Sequence, residues 1–189
     1  MKIIKNSKVY LDTNFLVAYL IPAKREKDKI YNKKAQKALA WLIVNNCKMY
    51  LSSLVFDEFW NSVKKEAGVK RVRSKLRFYI NSFLQGFGIK GLMDSGVDYY
   101  AHYELYSDLT KYTDKILSFP RVKIVQFNNI INGIKQALEN IKQYQMKPRD
   151  GFHLSLMQNL QIPFILTQDP KFLKIDSKSG ITGESFLCL

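Results

Sequence analysis

Apolar residues follow two alternating patterns along the chain, and these patterns predict alternating strands and helices. Short apolar runs between turn-forming residues are typical of buried strands, whereas apolar residues that recur every three or four positions indicate amphipathic helices. Runs of the first kind predict strands at 9–11, 48–51, 122–127 and 162–166, with a fifth strand within 183–189. The predicted fold class is therefore α/β, with a parallel sheet of about five strands and helices on both faces.

The predicted helices occupy the segments between these strands. After the first strand, Thr13 or Asn14 is expected to cap a helix. Pro148 should end one helix and let Arg149 and Asp150 open the next. Other helices are predicted by apolar periodicity within 35–43, 54–67, 69–83, 99–119 and 130–141.

The balance of charge points to an anionic partner. The 189-residue chain has 30 Lys and Arg against 16 Asp and Glu, a net charge of +14, which favours nucleic acid. A generally lysine-rich proteome is the alternative explanation. The chain has 2 cysteines without metal-type spacing, so a reducing cytoplasm is expected. No apolar run is long enough to span a membrane, and no membrane partner is expected.

One segment of the chain, residues 69–91, is distinctly basic. Its apolar positions form a helical stripe, and basic residues fill the remaining surface. We expect this segment to hold an RNA backbone by electrostatic attraction, with help from Arg149. The predicted RNA-binding residues of the segment are Lys70, Arg71, Arg73, Lys75 and Arg77.

Four acidic residues occupy places that should converge in space. Asp12 ends the first strand and Asp169 follows the fourth, so both should face the edge where the carboxyl ends of parallel strands meet. Glu58 lies in the helix after the second strand, and Asp150 opens the helix that leads to the fourth. The helices that carry them begin or end near the same edge. The sequence thus predicts one carboxylate cluster assembled from four distant segments.

Carboxylates repel one another and are costly to bury together, so a cluster needs a reason. The simplest reason is a divalent cation such as Mg²⁺ or Mn²⁺, which prefers oxygen ligands. A bound cation of this kind activates water and neutralises phosphoryl oxygens. Together with the basic segment, the cluster predicts phosphodiester hydrolysis by a metal-activated water.

Three of the four acids also have a simpler explanation when each is taken alone, whereas Asp12, which directly follows a buried run, is the hardest to explain in this way. Asp169 suits the N-cap of a helix that starts with the following proline. Asp150 suits the first turn of a helix, where the dipole favours negative charge, and Glu58 suits a solvated helix position. Asp57 is a competing choice for Glu58, but it points about 100° away around the helix. His153 is interpreted as a structural residue of the Asp150 helix.

Three segments carry these acids in order: VYLDTNFLVAYL, SSLVFDEF and RDGFHLSLMQNLQIPFILTQDPKF. In them the chain resembles the PIN-domain family of nucleases, most closely its VapC-like toxin branch. The matching features are Asp-Thr-Asn after the first strand, a serine-led helix with a Glu, an Asp at a helix start and Thr-x-Asp after the next strand. The resemblance covers 8–66 and 122–175. It implies a single PIN-like domain over 1–189, with 69–120 as a basic, tyrosine-rich helical insertion.

The resemblance also implies roles for particular residues. Asp12, Glu58, Asp150 and Asp169 would be catalytic and would hold one or two Mg²⁺ or Mn²⁺ ions. The same resemblance makes Asn14 a polar neighbour of the site, and it makes Thr167 a support for the ligands. Members of the family usually form homodimers, and toxin members are neutralised by a small antitoxin, so both partners are expected.

The function expected from these observations is a metal-dependent endoribonuclease, the toxin of a toxin–antitoxin pair. One alternative is a PIN nuclease of RNA processing, and another is a non-catalytic RNA-binding or scaffold protein that keeps the fold. A phosphatase with Asp12 as covalent nucleophile is disfavoured because Asn14 stands where such enzymes usually have a second acid. Glycine-rich nucleotide-binding loops are absent from the sequence.

Overall fold

The computed structural model describes residues 3–23, 25–66, 96–175 and 177–188. The basic segment predicted at 69–91 lies outside these residues, as does most of the connection to the tyrosine-rich helix. The insertion expected at 69–120 therefore stays a prediction.

Five parallel strands form one sheet, which confirms the predicted architecture. The sheet has the order β3-β2-β1-β4-β5. The third strand stops two residues before its predicted end, because the chain after Val125 leaves the sheet. The strands are β1 Lys8–Leu11, β2 Lys48–Ser52, β3 Val122–Val125, β4 Phe164–Thr167 and β5 Thr182–Ser185.

Seven α-helices occur among the described residues, at the places that the apolar periodicity predicts or close to them. The second helix starts at Glu26, earlier than the apolar stripe alone indicates, because its first two turns are highly charged. The helices are α1 Thr13–Leu20, α2 Glu26–Val44, α3 Ser53–Glu66, α4 Gly96–Leu117, α5 Ile130–Tyr144, α6 Pro148–Asn159 and α7 Pro170–Leu173. Short 3₁₀ turns follow at Ser177–Ser179 and Phe186–Cys188.

The order of the strands reverses at β1. The chain adds β2 and β3 on one side of β1 and then returns to place β4 on the other side, in register with it from Val9 opposite Phe164 to Leu11 opposite Leu166. Right-handed crossovers in the two directions place helices on opposite faces of the sheet. The point between β1 and β4 is a topological switch point, where open α/β sheets form ligand sites.

The centre of the sheet is closed to solvent. Val9, Tyr10 and Leu11 of β1 are fully buried, as are Ile165 and Leu166 of the neighbouring β4. Burial of continuous apolar runs on both faces is the main source of stability for a parallel sheet. The switch point thus lies at the end of two largely buried strands.

Helices α5 and α6 pack unusually close to each other at Gly151. A Cβ atom at this position would lie 2.5 Å from Ile141 Cγ1 and 3.0 Å from the carbonyl oxygen of Ala137. Only a residue without a side chain allows this approach. Because Gly151 follows Asp150 directly, the close contact also fixes where the first turn of α6 holds its carboxylate.

The chain divides into two compact units, Met1–Glu58 with Ser118–Leu189, and Phe59–Leu117. The first unit contains the sheet and all four predicted acids. Within the second, Phe59 and Tyr112 meet edge to face with ring centroids 6.1 Å apart, and Trp60 Nε1 donates to Thr113 Oγ1 at 3.0 Å. Over the described ranges, every helix is too short or too polar to cross a bilayer.

Candidate active site

Asp12 is the residue at the switch point. It follows β1 directly, and its extended backbone and side chain make it the N-cap of α1, accepting from Thr13 N at 2.7 Å. The prediction that Thr13 or Asn14 caps this helix is therefore wrong, because the residue that ends the strand already supplies the acceptor. The other carboxylate oxygen, Oδ2, accepts from Asn14 Nδ2 at 2.9 Å and from Thr167 Oγ1 at 2.5 Å.

Burial raises the pKa of the Asp12 carboxyl above its ordinary value. The side chains of Thr167 and His153, the Thr13 amide and Asn14 oppose this effect, but they do not cancel it. A buried carboxylate whose pKa stays high despite several donors still lacks compensating positive charge. Asp12 would be stabilised in its ionised form by a cation.

Thr167 ties the end of β4 to the end of β1. Its hydroxyl donates to Asp12 and accepts from the backbone N–H of Asp169 at 2.9 Å. Asp169 itself is the N-cap of α7, accepting from Lys171 N at 2.8 Å, with Pro170 in the first turn. Asp169 is therefore a helix N-cap, as its simpler explanation predicts. Its place directly after β4 also brings it to the switch point.

Asp150 lies in the first turn of α6 and is half-buried. Burial raises the pKa of its carboxyl, and the negative charges of Asp169 and, more weakly, Asp12 raise it further, whereas His153 lowers it. The three aspartates are therefore close enough to repel one another. The Oδ2 atom of Asp150 is buried and has no hydrogen-bond partner in the part of the chain that the structure describes.

Glu58 reaches the site from α3 and is held by side chains of α1 and α6. Its Oε2 accepts from Thr13 Oγ1 at 2.7 Å and lies 3.5 Å from Nε2 of His153. Burial alone would raise the pKa of Glu58, but His153, Thr13 and Arg149 together outweigh it and lower the pKa. The pKa of Glu58 is thus shifted downward, in contrast to the pKa values of Asp12 and Asp150, which are shifted upward.

Arg149 lies beside Glu58 rather than free in solvent. Its guanidinium nitrogens are 3.4 Å from Asp57 Oδ2 and 3.6 Å from Glu58 Oε1, and half of its side chain is exposed. Asp57, the competing choice for the site, is also half-exposed and faces this arginine. The pair lies at the solvent-exposed rim of the acidic cluster.

The structure therefore brings all four predicted acids to one region of the first unit, with Asn14, Thr167 and Arg149 in contact with them. The basic residues Lys70, Arg71, Arg73, Lys75 and Arg77 lie outside the described residues. The sequence analysis considered Thr13 only as a helix cap and His153 only as a structural residue, and it gave Tyr10 no role, yet all three side chains lie in the same region. His153 shares a helix face with Asp150 three positions earlier, which is a signal that the sequence does contain.

The donor set fits a hard divalent cation in kind, although its arrangement is not closed around one. Within residues 3–23, 25–66, 96–175 and 177–188, no three His, Cys, Asp or Glu side chains are grouped so as to hold a metal ion. The available donors are nevertheless carboxylate oxygens, the ligands that Mg²⁺ and Mn²⁺ prefer. The buried Oδ2 of Asp150, unpartnered among the described residues, and the raised pKa values of Asp12 and Asp150 identify carboxylates that a bound cation would stabilise.

Comparisons with known proteins concern the family and the fold of the chain. A family model described as PIN domain matches residues 9–178. The chain is similar to the crystal structure of VapBC2 from Rickettsia felis bound to a DNA fragment from their promoter, with 16% identity and a TM-score of 0.53 over 94% of this chain and 98% of that chain. It is also similar to FitAcB from Neisseria gonorrhoeae, with 14% identity and a TM-score of 0.49 over 96% and 99%. No curated protein matches the chain. Similarity to solved structures at such low sequence identity bears on the fold alone.

Proposed function

We propose that this chain, which belongs to the PIN domain family, is a metal-dependent endoribonuclease. Members of that family are generally nucleases. Asp12, Asp150 and Asp169 would hold one or two Mg²⁺ or Mn²⁺ ions, and Glu58 would bind the ion or orient the attacking water. The ion, when bound, would lower the pKa of a water and neutralise charge on the phosphoryl group.

The observation that carries this proposal is the environment of Asp150. Its Oδ2 is buried without a hydrogen-bond partner among the described residues, and Asp169 and Asp12 both raise its pKa. Unpaired buried acceptors and repelling carboxylates both cost stability. A protein keeps such a group when a ligand relieves the cost, and a divalent cation relieves both parts of it.

The chain's own residues would prepare the reaction in three ways. Thr13, Asn14 and Thr167 fix the orientation of the Asp12 and Glu58 oxygens by direct hydrogen bonds. Glu58, with its lowered pKa, would accept a hydrogen bond from the attacking water and align it with the phosphorus. Arg149 at the rim would bind a phosphate oxygen of the RNA, as would the basic residues of 70–77.

The net charge of +14 supports RNA as the substrate, because neutralising phosphates supplies most sequence-independent affinity for nucleic acid.

A more specific proposal is that the protein is the toxin of a toxin–antitoxin pair. It rests on the VapC-like motifs and on likeness to a VapBC2 complex, a complex of the toxin–antitoxin kind. A small antitoxin and a second copy of the chain are the proposed protein partners. Helix α5 supports a protein partner with an exposed apolar stripe: Ile130, Ile131, Ile134 and Leu138.

One observation favours a second candidate, a non-catalytic RNA-binding protein that keeps the fold. It is the finding that no three potential ligands in the described part of the chain are grouped to hold an ion. The two candidates differ in whether the protein cleaves RNA in a reaction that needs both a metal ion and Asp12.

The test is cleavage of end-labelled RNAs by the purified protein, with Mn²⁺ and with EDTA. Asp12→Asn is the diagnostic variant, and Asp108→Asn, at an exposed position of α4, is the matched control. We expect cleavage by wild type and Asp108→Asn in Mn²⁺ only, and none by Asp12→Asn. Cleavage that persists in EDTA, or in the Asp12 variant, would show that the proposed chemistry is wrong. Mn²⁺ binding without cleavage of any RNA would favour the non-catalytic candidate.

A further inference from the structure

His153 is buried at the centre of the acidic region, although its place on α6 alone indicates only a structural role. Its ring is 3% exposed, and its Nδ1 lies 2.7 Å from the hydroxyl oxygen of Tyr10. The Tyr10 hydroxyl lies 2.6 Å from Ser52 Oγ in the neighbouring strand. Three buried polar groups from β1, β2 and α6 therefore form a continuous chain inside the sheet's edge.

The other ring nitrogen faces Glu58. Nε2 of His153 is buried, lies 3.5 Å from Glu58 Oε2, and has no hydrogen-bond partner in the described structure. The separation is a few tenths of an ångström too long for a good N–H···O bond. Catalytic hydrogen bonds are often this long before substrate binds, and they shorten in the reacting complex.

With a neutral imidazole, two directions of hydrogen bonding along this chain are possible. The phenol of Tyr10 has one hydrogen and two neighbours, so it can donate to His153 or to Ser52, not to both. If His153 donated from Nδ1 to Tyr10, a bare Nε2 lone pair would face a carboxylate oxygen in a buried site, which is repulsive. If Ser52 donates to Tyr10 and Tyr10 donates to His153, Nε2 carries the hydrogen and faces Glu58 favourably.

We propose that His153 is a positioning residue for Glu58, and that Tyr10 and Ser52 hold it in the Nε2–H tautomer. Burial keeps the phenol protonated, because it raises the pKa of Tyr10. In this arrangement Nε2–H supplies Glu58 with a second donor on the same oxygen that accepts from Thr13. The carboxylate is then fixed in rotation, with Oε1 3.6 Å from the guanidinium of Arg149. The role rests on the proposed function of Glu58.

The first test does not require catalysis. The chain has 2 histidines, so ¹⁵N NMR of imidazole-labelled protein gives two sets of ring resonances, and His102→Asn assigns them. We expect His153 to be in the Nε2–H tautomer at neutral pH, with Nδ1 as an acceptor. Tyr10→Phe should weaken this preference. A predominant Nδ1–H tautomer, or a ring protonated at both nitrogens, would overturn the proposal whether or not the protein cleaves RNA.

The second test separates positioning from simple stability. Tyr50 lies opposite Tyr10 in the sheet register and is also buried, so Tyr50→Phe is the matched control. We expect Tyr10→Phe to lower kcat about fivefold with KM unchanged, the loss typical of one hydrogen bond, and Tyr50→Phe to leave kcat as in wild type. The double variant Tyr10→Phe with His153→Gln should be no slower than His153→Gln alone. If the two substitutions lowered kcat independently, so that their effects multiplied in the double variant, Tyr10 would not act through His153.

Discussion

Thr167 donates a hydrogen bond to Asp12 across 155 positions of sequence. The same hydroxyl accepts from the amide of Asp169, so one small side chain joins the ends of β1 and β4 and the start of α7. Two of the four acids are thereby set relative to each other by a single oxygen atom. The geometry of the site depends on this atom as much as on the acids.

Thr167→Val should show how much this bridge contributes. The substitution keeps the shape of the side chain but leaves the Asp169 amide without its acceptor and Asp12 without one donor. We expect unfolding free energy to fall by about 1–3 kcal/mol. RNA cleavage should fall as well, because Asp12 loses orientation. Thermal melts and single-turnover cleavage measure the two effects, and Thr167→Ser, which keeps the hydroxyl, should restore most of both. A serine variant as defective as the valine variant would assign the effect to packing.

Asp150→Asn should stabilise the metal-free protein. It removes a charge that Asp169 and Asp12 oppose, and it leaves the three hydrogen bonds to Asp12 intact. In EDTA the melting temperature should rise, by about 2–4 °C for each kcal/mol of repulsion relieved. The rise that Mn²⁺ gives to wild type should disappear in the variant. Asp108→Asn is the control, and equal Mn²⁺ shifts in all three proteins would argue against a shared metal site.

The pH dependence of stability should follow the same carboxyl group. The pKa of Asp150 is raised above its ordinary value of 3.8, so the unfolded chain releases this proton at lower pH than the folded protein does. Ionisation therefore costs stability as pH rises above 3.8 and through the folded pKa. The stability of Asp150→Asn relative to wild type should be near zero below this window and should increase with pH until the window is passed. Urea unfolding in EDTA at several pH values would measure it, and a difference that decreases with pH would contradict the assignment.

Arg149 should contribute to RNA affinity, and its ion pair with Asp57 should limit that contribution. Arg149→Gln is expected to reduce the salt dependence of binding by the equivalent of one phosphate contact, a slope change of about 0.7 for single-stranded RNA. Asp57→Asn removes one of the two carboxylates beside the guanidinium, leaving Glu58, and should strengthen binding modestly, by about 0.2–1 kcal/mol, the usual value of such a pair. Fluorescence anisotropy over a range of salt would measure both. We expect Arg149→Gln to weaken RNA binding and Asp57→Asn to strengthen it. Weaker binding by Asp57→Asn would contradict this prediction.

The basic segment should carry a larger share of the salt dependence. Replacing Lys70, Arg71, Arg73, Lys75 and Arg77 with glutamine should flatten the salt slope of RNA binding by as much as roughly 3.5, about 0.7 for each phosphate that is no longer neutralised. A matched control removes the same charge from α2. Its substitutions, also to glutamine, are at Lys27, Lys29, Lys33, Lys34 and Lys37. An equal slope change in both variants would mean that net charge, not this segment, sets the affinity.

The sheet and the acids could be predicted because their signals are local. Val9 to Leu11 is apolar throughout, and each acid stands directly at or near the end of a predicted element. Parallel pairing then brings the strand ends together without any knowledge of side-chain contacts. The family motifs agree with the same positions, and the switch point between β1 and β4 follows from the strand order.

The connections between the acids could not be predicted in the same way. The sequence pattern assigns the cap of α1 to the wrong residue, because a carboxylate that ends a strand can serve both as a cap and as a site residue. The bond from Tyr10 to His153 joins residues 143 positions apart, and a tyrosine inside a buried strand resembles any other core aromatic. Such contacts depend on the rotation of particular side chains, which periodicity does not contain.

The pairing of the first strand with the fourth has a consequence for synthesis. While the chain is being translated, β1 emerges early, but its partner β4 and the residues Thr167 and Asp169 are made only after more than a hundred further residues. Until then Asp12 has no bridge and the acidic region is incomplete. A partly made chain therefore lacks the complete set of four acids, and under the proposed function it would not cleave RNA until β4 and α7 have been made.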